Sequence, residues 1–299
     1  MTISVRRMLA AAVLGAVLTG CGTGGTGSGG SGSGGSGSGD GAEARRSPSA
    51  SVPSPSATPP PSPSPVPTVA AGPGGLTPVF ERARGRGGEK VVALTFDADM
   101  TADQGPRAAR GEHFDHPQLI ASLRKWKVPS TVFMTGRWAE EYPDQARSIG
   151  TDPLFEIANH SYSHHAFSAP CYGLPTVEPK AMKADVDRAF AAFRKAGARN
   201  VVPYFRFPGG CYDDRALRSL GPAKVTAVQW DVVSGDAFAT DADAVAEQVL
   251  AGVRPGSLVV MHCTRSAAPT TEKALRRVVP ELRKRGYRFV KVSDLIARR

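Results

Sequence analysis

The sequence predicts an α/β fold built on a parallel sheet or barrel and preceded by a disordered linker. Three observations predict it. From about residue 91 onward, short apolar runs of strand length alternate with longer segments of helical periodicity. Several apolar runs end in polar clusters, the place where such folds carry their chemistry. Ahead of them, residues 22–39 contain only Gly, Ser and Thr, and residues 48–67 hold nine prolines in twenty positions. Neither stretch can bury enough apolar surface to offset its ordering entropy.

Val91–Phe96 (VVALTF) is a buried-type strand. Pro117–Trp126 reads as a helix, Ser130–Met134 as a strand, 138–148 as a helix and Leu154–Ala158 as a short strand ending at Asn159. The clearest amphipathic helix covers 178–196, with Met182, Val186, Phe190, Ala191 and Phe193 near one face. Val202–Phe205 and Val225–Trp230 are further strands. Asp241–Val253 is a helix with Asp241 as its cap. Ser257–His262 is a strand, 271–285 a helix and Arg288–Val292 a strand. About 210 residues, from 88 to 299, therefore carry one domain.

Hydrophobic residues make up 41% of the chain and charged residues 21%, which fits a globular core. No long apolar run lies inside the domain, which excludes a polytopic membrane protein. From residue 88 there are 30 Lys and Arg against 24 Asp and Glu, so the domain itself is basic. That charge suits solubility or attraction to anionic cell-surface polymers. No helix-turn-helix, zinc-finger or aromatic RNA-binding signature is present, so nucleic acid is not expected as a partner.

Arg6 and Arg7 precede an apolar run from Met8 to Leu18 that is short for a membrane span. Leu18-Thr19-Gly20-Cys21 follows, and it resembles a bacterial lipobox. The resemblance implies a signal peptide over 1–20, cleavage before Cys21 and lipidation of its thiol. Two acyl chains suffice for stable anchoring. Residues 21–87 are then a tether of flexible Gly/Ser chain and extended Pro-rich chain. The expected location is the outer face of the cell membrane, reaching into the cell wall.

Five polar clusters stand out. Asp97-Ala98-Asp99 follows the first strand, and two carboxylates there can act as metal ligand and general base. His160-Ser161-Tyr162-Ser163-His164 follows the third, and three of the six histidines fall within 160–165. His160 and His164 can converge on one metal if the segment is helical or tightly turned; His165 points elsewhere. Arg206-Phe207-Pro208-Gly209-Gly210 follows the fourth. It combines a fixed-charge fork for a carboxylate with glycines that admit a ligand close to the backbone. Asp236 in WDVVSGD and His262 closing SLVVMH complete the set.

LTFDAD, EIANHSYSH, FRFPGG, VQWDVVSGD and GSLVVMH, in this order at strand ends, resemble the five motifs of the polysaccharide deacetylases of carbohydrate esterase family 4, the NodB-homology domain. The resemblance spans about residues 90–295. It implies a distorted (β/α) barrel, a divalent metal (usually zinc) and hydrolysis of N-acetyl groups on a cell-wall or related polysaccharide. By position it implies that His160 and His164 bind the metal and that Asp97 is the base acting on the water. It also implies that Arg206 holds Asp97, that Asp236 pairs with Arg206, that His262 is the acid for the leaving amine, and that the Gly209 N–H serves the oxyanion. An amide needs such a set, with a polarised carbonyl and a base and acid on opposite sides of the tetrahedral intermediate.

The chain departs from the family pattern in four places. Ala98 stands where the metal-binding Asp of an Asp-Asp pair is usual, and Asp99 is taken as the replacement ligand because alternate residues point to one side. Gly209 stands where an aromatic is common, Val233 replaces a usual Asp, and Ala237 a usual Trp. A catalytically impaired carbohydrate-binding barrel and an O-acetyl esterase are the alternatives. Among the cysteines left after lipidation, Cys171 and Cys211 follow the His160–His164 and Arg206 clusters at short distances and are the expected disulfide, leaving Cys263 free.

Overall fold

The computed structural model describes residues 65–84 and 89–299. The expected signal segment, Cys21, the Gly/Ser stretch and most of the Pro-rich stretch lie outside the described residues. Among the described residues, nine strands form one sheet in which every pairing is parallel. They are β1 (Val79–Phe80), β2 (Val91–Ala98), β3 (Ser130–Met134), β4 (Phe155–Asn159), β5 (Val201–Phe205), β6 (Thr226–Val228), β7 (Val232–Val233), β8 (Ser257–His262) and β9 (Arg288–Phe289). The spatial order is β1-β6-β5-β4-β3-β2-β8-β7, with β9 on the first residues of β2. β1 and β7 are the two ends of this ladder, so the barrel is distorted and open.

The helices that follow the strands are α1 (Gln104–Ala108), α2 (Pro117–Lys125), α3 (Gly136–Glu141), α4 (Pro143–Gly150), α5 (Met182–Lys195), α6 (Asp214–Leu220), α7 (Ala242–Gly252), α8 (Thr271–Lys284) and α9 (Val292–Ala297). None is long and apolar enough to cross a membrane.

Strand periodicity divides the core in two. On β2, Val92, Leu94, Phe96 and Ala98 face the helix layer and pack with Leu119, Leu123, Trp138, Val249 and Leu275. Val91 and Ala93 face the barrel interior with Phe133, Ala158, Tyr204, Leu258 and the α9 residues Val292, Leu295 and Ile296. The interior set continues, two residues at a time, into the polar residues at the strand ends. Ala93 leads through Thr95 to Asp97, Ala158 to His160, Tyr204 to Arg206, and Leu258 through Val260 to His262. The fold thus aims one polar side chain per strand at one mouth of the barrel.

Several elements differ from expectation. The helix expected over 138–148 is two helices, because Pro143 pushes Tyr142 out of the helical region, to φ −121° and ψ 59°. On α5, Ala191 is exposed and Ala189 and Ala192 take the buried face. The strand expected over Arg288–Val292 ends at Phe289, and α9 follows. The linker expected to run to 87 stops earlier. Tyr204 donates to Pro67 O (2.6 Å), Val69 N–H to Thr226 Oγ1 (3.1 Å) and Thr77 N–H to Leu217 O (3.2 Å). β1 then adds to β6, with Phe80 and Ala83 buried in the barrel interior. One alternating pair of residues was too short a signal to mark that edge strand.

Candidate active site

Asp97 sits at the C-terminal end of β2, level with His262 on β8 and Phe133 on β3. Its Oδ1 accepts from Arg206 Nη1 at 2.6 Å. Arg206 is fully buried. It also donates from Nε to Val228 O (3.2 Å) and from Nη2 to Gln229 O (3.4 Å). Its guanidinium lies 3.8 Å from the centre of the Phe133 ring. Burial pushes the guanidinium pKa down and the Asp97 carboxylate pulls it back. Removing one member of such a pair leaves an uncompensated buried charge, a loss of about 3–5 kcal/mol.

Ala98 points the other way. It packs with Met100 and Met134 in the helix-facing core, so position 98 is a core position in this chain. Asp99 returns to the mouth of the barrel. Its N–H donates to Thr264 Oγ1 (3.1 Å). Its Oδ1 lies 3.3 Å from His160 Nε2 and 3.5 Å from His164 Nε2, and its Oδ2 lies 3.8 Å from His262 Nε2.

The His160–His164 segment is a tight turn, not a helix. Ser161 (φ 68°) and His164 (φ 58°) both adopt left-handed backbone. Side chains hold the turn. Asn159 Oδ1 accepts from Ser161 N–H (2.8 Å), Ser161 Oγ from His164 N–H (2.9 Å), and Asp185 of α5 from Tyr162 N–H (2.7 Å). This brings the two imidazole centres to 5.0 Å. His160 Nδ1 lies 2.9 Å from Arg206 O. A carbonyl only accepts, so Nδ1 carries a proton, and in the neutral ring the Nε2 lone pair faces Asp99. Burial drives the His164 pKa down to about 4, so this imidazole is neutral at neutral pH. Burial works against the charged form of His160 too, but Asp97 and Asp99 outweigh it and raise its pKa. For Asp99, burial raises the pKa, yet His164, His160 and His262 together take it well below the usual carboxylate range.

Asp99, His160 and His164 offer one ligand atom each, all within 4.8 Å of one another. Asp99 Oδ1 is buried and accepts no hydrogen bond. A buried carboxylate oxygen without a donor, between two imidazole nitrogens, fits a divalent cation. Nitrogen and oxygen donors of this kind suit zinc and other first-row ions.

His262 closes the other side. Asp236 Oδ1 accepts from its Nδ1 (2.8 Å), and Asp236 Oδ2 accepts from its N–H (2.7 Å). Ser234 Oγ and Thr271 Oγ1 fill the remaining acceptor positions of Asp236, at 2.8 and 2.7 Å. Burial opposes the charge on His262, but Asp236, Asp99 and Asp97 outweigh it and hold its pKa up at about 10. Asp236 therefore partners His262, not Arg206. Its four acceptor sites are occupied on the β7–β8 side, while Arg206 comes from β5 and reaches Asp97. Ser234 lies two residues from Asp236 in the WDVVSGD cluster, a signal within reach. Thr264, Thr271 and Asp185 carry no local sequence mark.

Gly209 stands exposed in the turn Pro208–Gly210 after Arg206, at φ 64°. A Cβ there would meet Cys171 Sγ at 2.6 Å, so both the backbone and the close approach require glycine. Cys171 and Cys211 are joined by a disulfide that ties this turn to the loop after His164. Cys263 is free and buried; burial first, then Asp99 and Asp97, push its thiol pKa up, so it is inert.

A family model described as polysaccharide deacetylase matches residues 84–228. A chitooligosaccharide deacetylase of Sinorhizobium fredii is 31% identical over 198 residues, covering 63% of this chain and 86% of that protein. A peptidoglycan-N-acetylglucosamine deacetylase of Bacillus cereus is 27% identical over 210 residues, covering 70% of this chain and 89% of that protein. Among solved structures, a peptidoglycan N-acetylglucosamine deacetylase superposes with a TM-score of 0.60 at 23% identity, covering 74% of this chain and 92% of that one. The chain belongs to the polysaccharide deacetylase family.

Two outcomes check this geometry. Asp99→Asn is expected to lose bound metal, measured by elemental analysis of dialysed protein, while Asp97→Asn retains it; the reverse pattern would exchange the two roles. In metal-free protein, an NMR titration should find the His262 imidazole protonated through pH 8 and losing its proton near pH 10. Asp236→Asn removes the adjacent negative charge and must move that transition to lower pH. An unmoved transition would show that Asp236 does not set it.

Proposed function

We propose that the protein is a metal-dependent hydrolase that removes N-acetyl groups from a cell-wall or chitin-like polysaccharide. The observation that carries this reading is the unsatisfied Asp99 Oδ1 between two imidazoles, set between a tethered carboxylate and a tethered imidazolium. The cation, held by Asp99, His160 and His164, would supply Lewis-acid polarisation of the amide carbonyl and a lowered pKa for the attacking water.

Arg206 occupies Oδ1 of Asp97, which leaves Oδ2 to accept the proton from water as the new C–O bond forms. His262 donates from Nε2 to the departing nitrogen as the C–N bond breaks, and Asp236 steadies the ring through Nδ1. The products are acetate and a free amine on the sugar. The Gly209 N–H donates to the oxyanion, a contact worth about 3 kcal/mol in the transition state. Names of relatives support an N-acetylated sugar polymer as substrate. The impaired-barrel alternative rested on Ala98, and Asp99 supplies the carboxylate whose absence motivated it.

Acetate release from purified peptidoglycan and from chitin oligomers, with and without chelator, tests the reading. Chelator-sensitive release is expected from at least one, with kcat falling about a hundredfold or more in His262→Ala as a general acid is lost. Release only from acetylated xylan would make the protein an O-acetyl esterase instead.

Attachment through a lipid on Cys21 belongs to the same proposal, and its support is the LTGC motif. Cys21→Ser should move the protein from the membrane fraction to the soluble fraction. Retention in the membrane after signal cleavage would overturn the anchor.

A further inference from the structure

The end of the barrel opposite the mouth carries an arc of positive charge. Every strand pairing is parallel, so all the strands are entered at this end. In the spatial order β6-β5-β4-β3-β2-β8, each entry has a basic side chain. Lys224 stands just before β6, Arg199 before β5, Lys127 before β3, Lys90 before β2 and Arg254 before β8. At β4 the cation is Lys291, whose Nζ donates to Pro153 O (3.3 Å). All but the half-buried Lys291 are exposed.

Local preference and ion pairing do not account for this arc. Helix macrodipoles favour cations in last turns, and Lys125 of α2 and Lys284 of α8 sit there. Lys90, Arg199 and Arg254 lie outside any helix. Lys127 and Lys224 follow helical turns in left-handed backbone, at φ 52° and 54°, where glycine is the usual residue. Carboxylates at the strand entries are already matched: Glu89 by Arg288 and Arg298, Asp152 by Arg124, and Asp231 by Arg82 and Arg254. Among the described residues, Lys127, Arg199 and Lys224 form no ion pair. Towards the mouth the helices begin on acids instead, with Asp185, Asp214, Asp243 and Glu272 in the first turns of α5, α6, α7 and α8.

The segment that leads back towards Cys21 meets the barrel at the same end. Thr226, the first residue of β6, accepts from Val69 N–H (3.1 Å), and Arg299 donates to Thr68 O (2.8 Å). Thr68 and Val69 line a cavity of about 310 Å³ together with Lys224. A tether attached here lets the charged rim approach a membrane without wrapping around the domain, and it keeps the rim at high effective concentration there. Anionic headgroups attract each nearby Lys or Arg within about a Debye length, roughly 8–10 Å. A plane meets the whole arc at once, whereas a linear polyanion reaches only the residues it crosses.

We propose that this rim of strand entries docks on an anionic phospholipid bilayer, so that the mouth of the barrel is turned away from the membrane. The nearness of a bilayer comes from the lipid on Cys21, and the docking rests on that reading. Lys127, Arg199 and Lys224 supply the attraction because no carboxylate of the domain competes for them. The acids at the opposite end oppose any approach with the mouth facing the membrane.

The test is sedimentation of the full chain carrying Cys21→Ser, which has no lipid on that residue, with phosphatidylcholine vesicles prepared with and without phosphatidylglycerol. The quantity read is the gain in binding when phosphatidylglycerol is present. A gain is expected at low salt, and it should vanish at high salt. Lys127→Gln, Arg199→Gln and Lys224→Gln should each reduce it about fivefold, and all three together about a hundredfold. The triple variant Arg110→Gln, Lys180→Gln, Lys273→Gln makes the same change of net charge outside the rim and should keep the gain; acetate release by both triple variants verifies that they fold. No gain with phosphatidylglycerol, or an equal loss in the two triple variants, would overturn the proposal. Binding to purified wall polyanion in place of vesicles would overturn it as well. The anchor is read separately, by fractionation of cells: a lipid-anchored protein whose Cys21→Ser form shows no gain would refute docking alone, and a gain without an anchor would refute the anchor alone.

Discussion

The buried ion pair between Arg206 and Asp97 is the constraint on which the rest of the site depends. Two aspartates reach the mouth of the barrel from β2, and the proposed base and the proposed metal ligand cannot be the same oxygen. Arg206 settles the division. It has no solvent contact, it takes one oxygen of Asp97, and two backbone carbonyls and the Phe133 ring fix its own position. In the proposed reaction this leaves the other oxygen of Asp97 for proton transfer. Asp99 has no cation of its own beyond the imidazoles, and its unsatisfied oxygen is left for a metal. The same arginine orders a candidate ligand as well, because its carbonyl accepts from His160 Nδ1 and turns Nε2 inward.

A second tether mirrors the first. Asp236 is saturated by Ser234, Thr271 and two donors of His262, so it can hold an imidazolium but has no capacity left for Arg206. Two carboxylates of one chemical type thus end with opposite partners, one held by Arg206 and one holding His262, which suits them to the proposed roles of base and of support for the acid. Environment assigns these roles.

Much of this was legible in the sequence. Strand-length apolar runs located β2, β3, β4, β5 and β8 to within two residues, and their terminal polar clusters contained the residues that meet at the candidate site. The two-residue period linking Asp97 to Asp99 was readable as well, since a strand repeats its faces. The rest was not local. The Asp236 pairing depends on which strands adjoin, and β7 is too short to announce itself. The tight turn that joins His160 to His164 depends on Asn159 and Asp185, the latter on a distant helix. The true start of the fold near residue 67 was hidden by a Pro-rich composition that reads as linker yet packs on the barrel. Ala98, which looks like the loss of a ligand, is a core residue, and its neighbour Asp99 stands beside the two histidines.

The central claim is that Asp99, and not Asp97, is the carboxylate on the metal. A crystal structure of the metal-loaded protein, with anomalous data collected at the absorption edge of the bound ion, tests it most directly. The account predicts an anomalous peak in contact with Asp99, His160 Nε2 and His164 Nε2, with Asp97 still paired to Arg206. A peak bound to Asp97, with Asp99 turned to solvent, would contradict it.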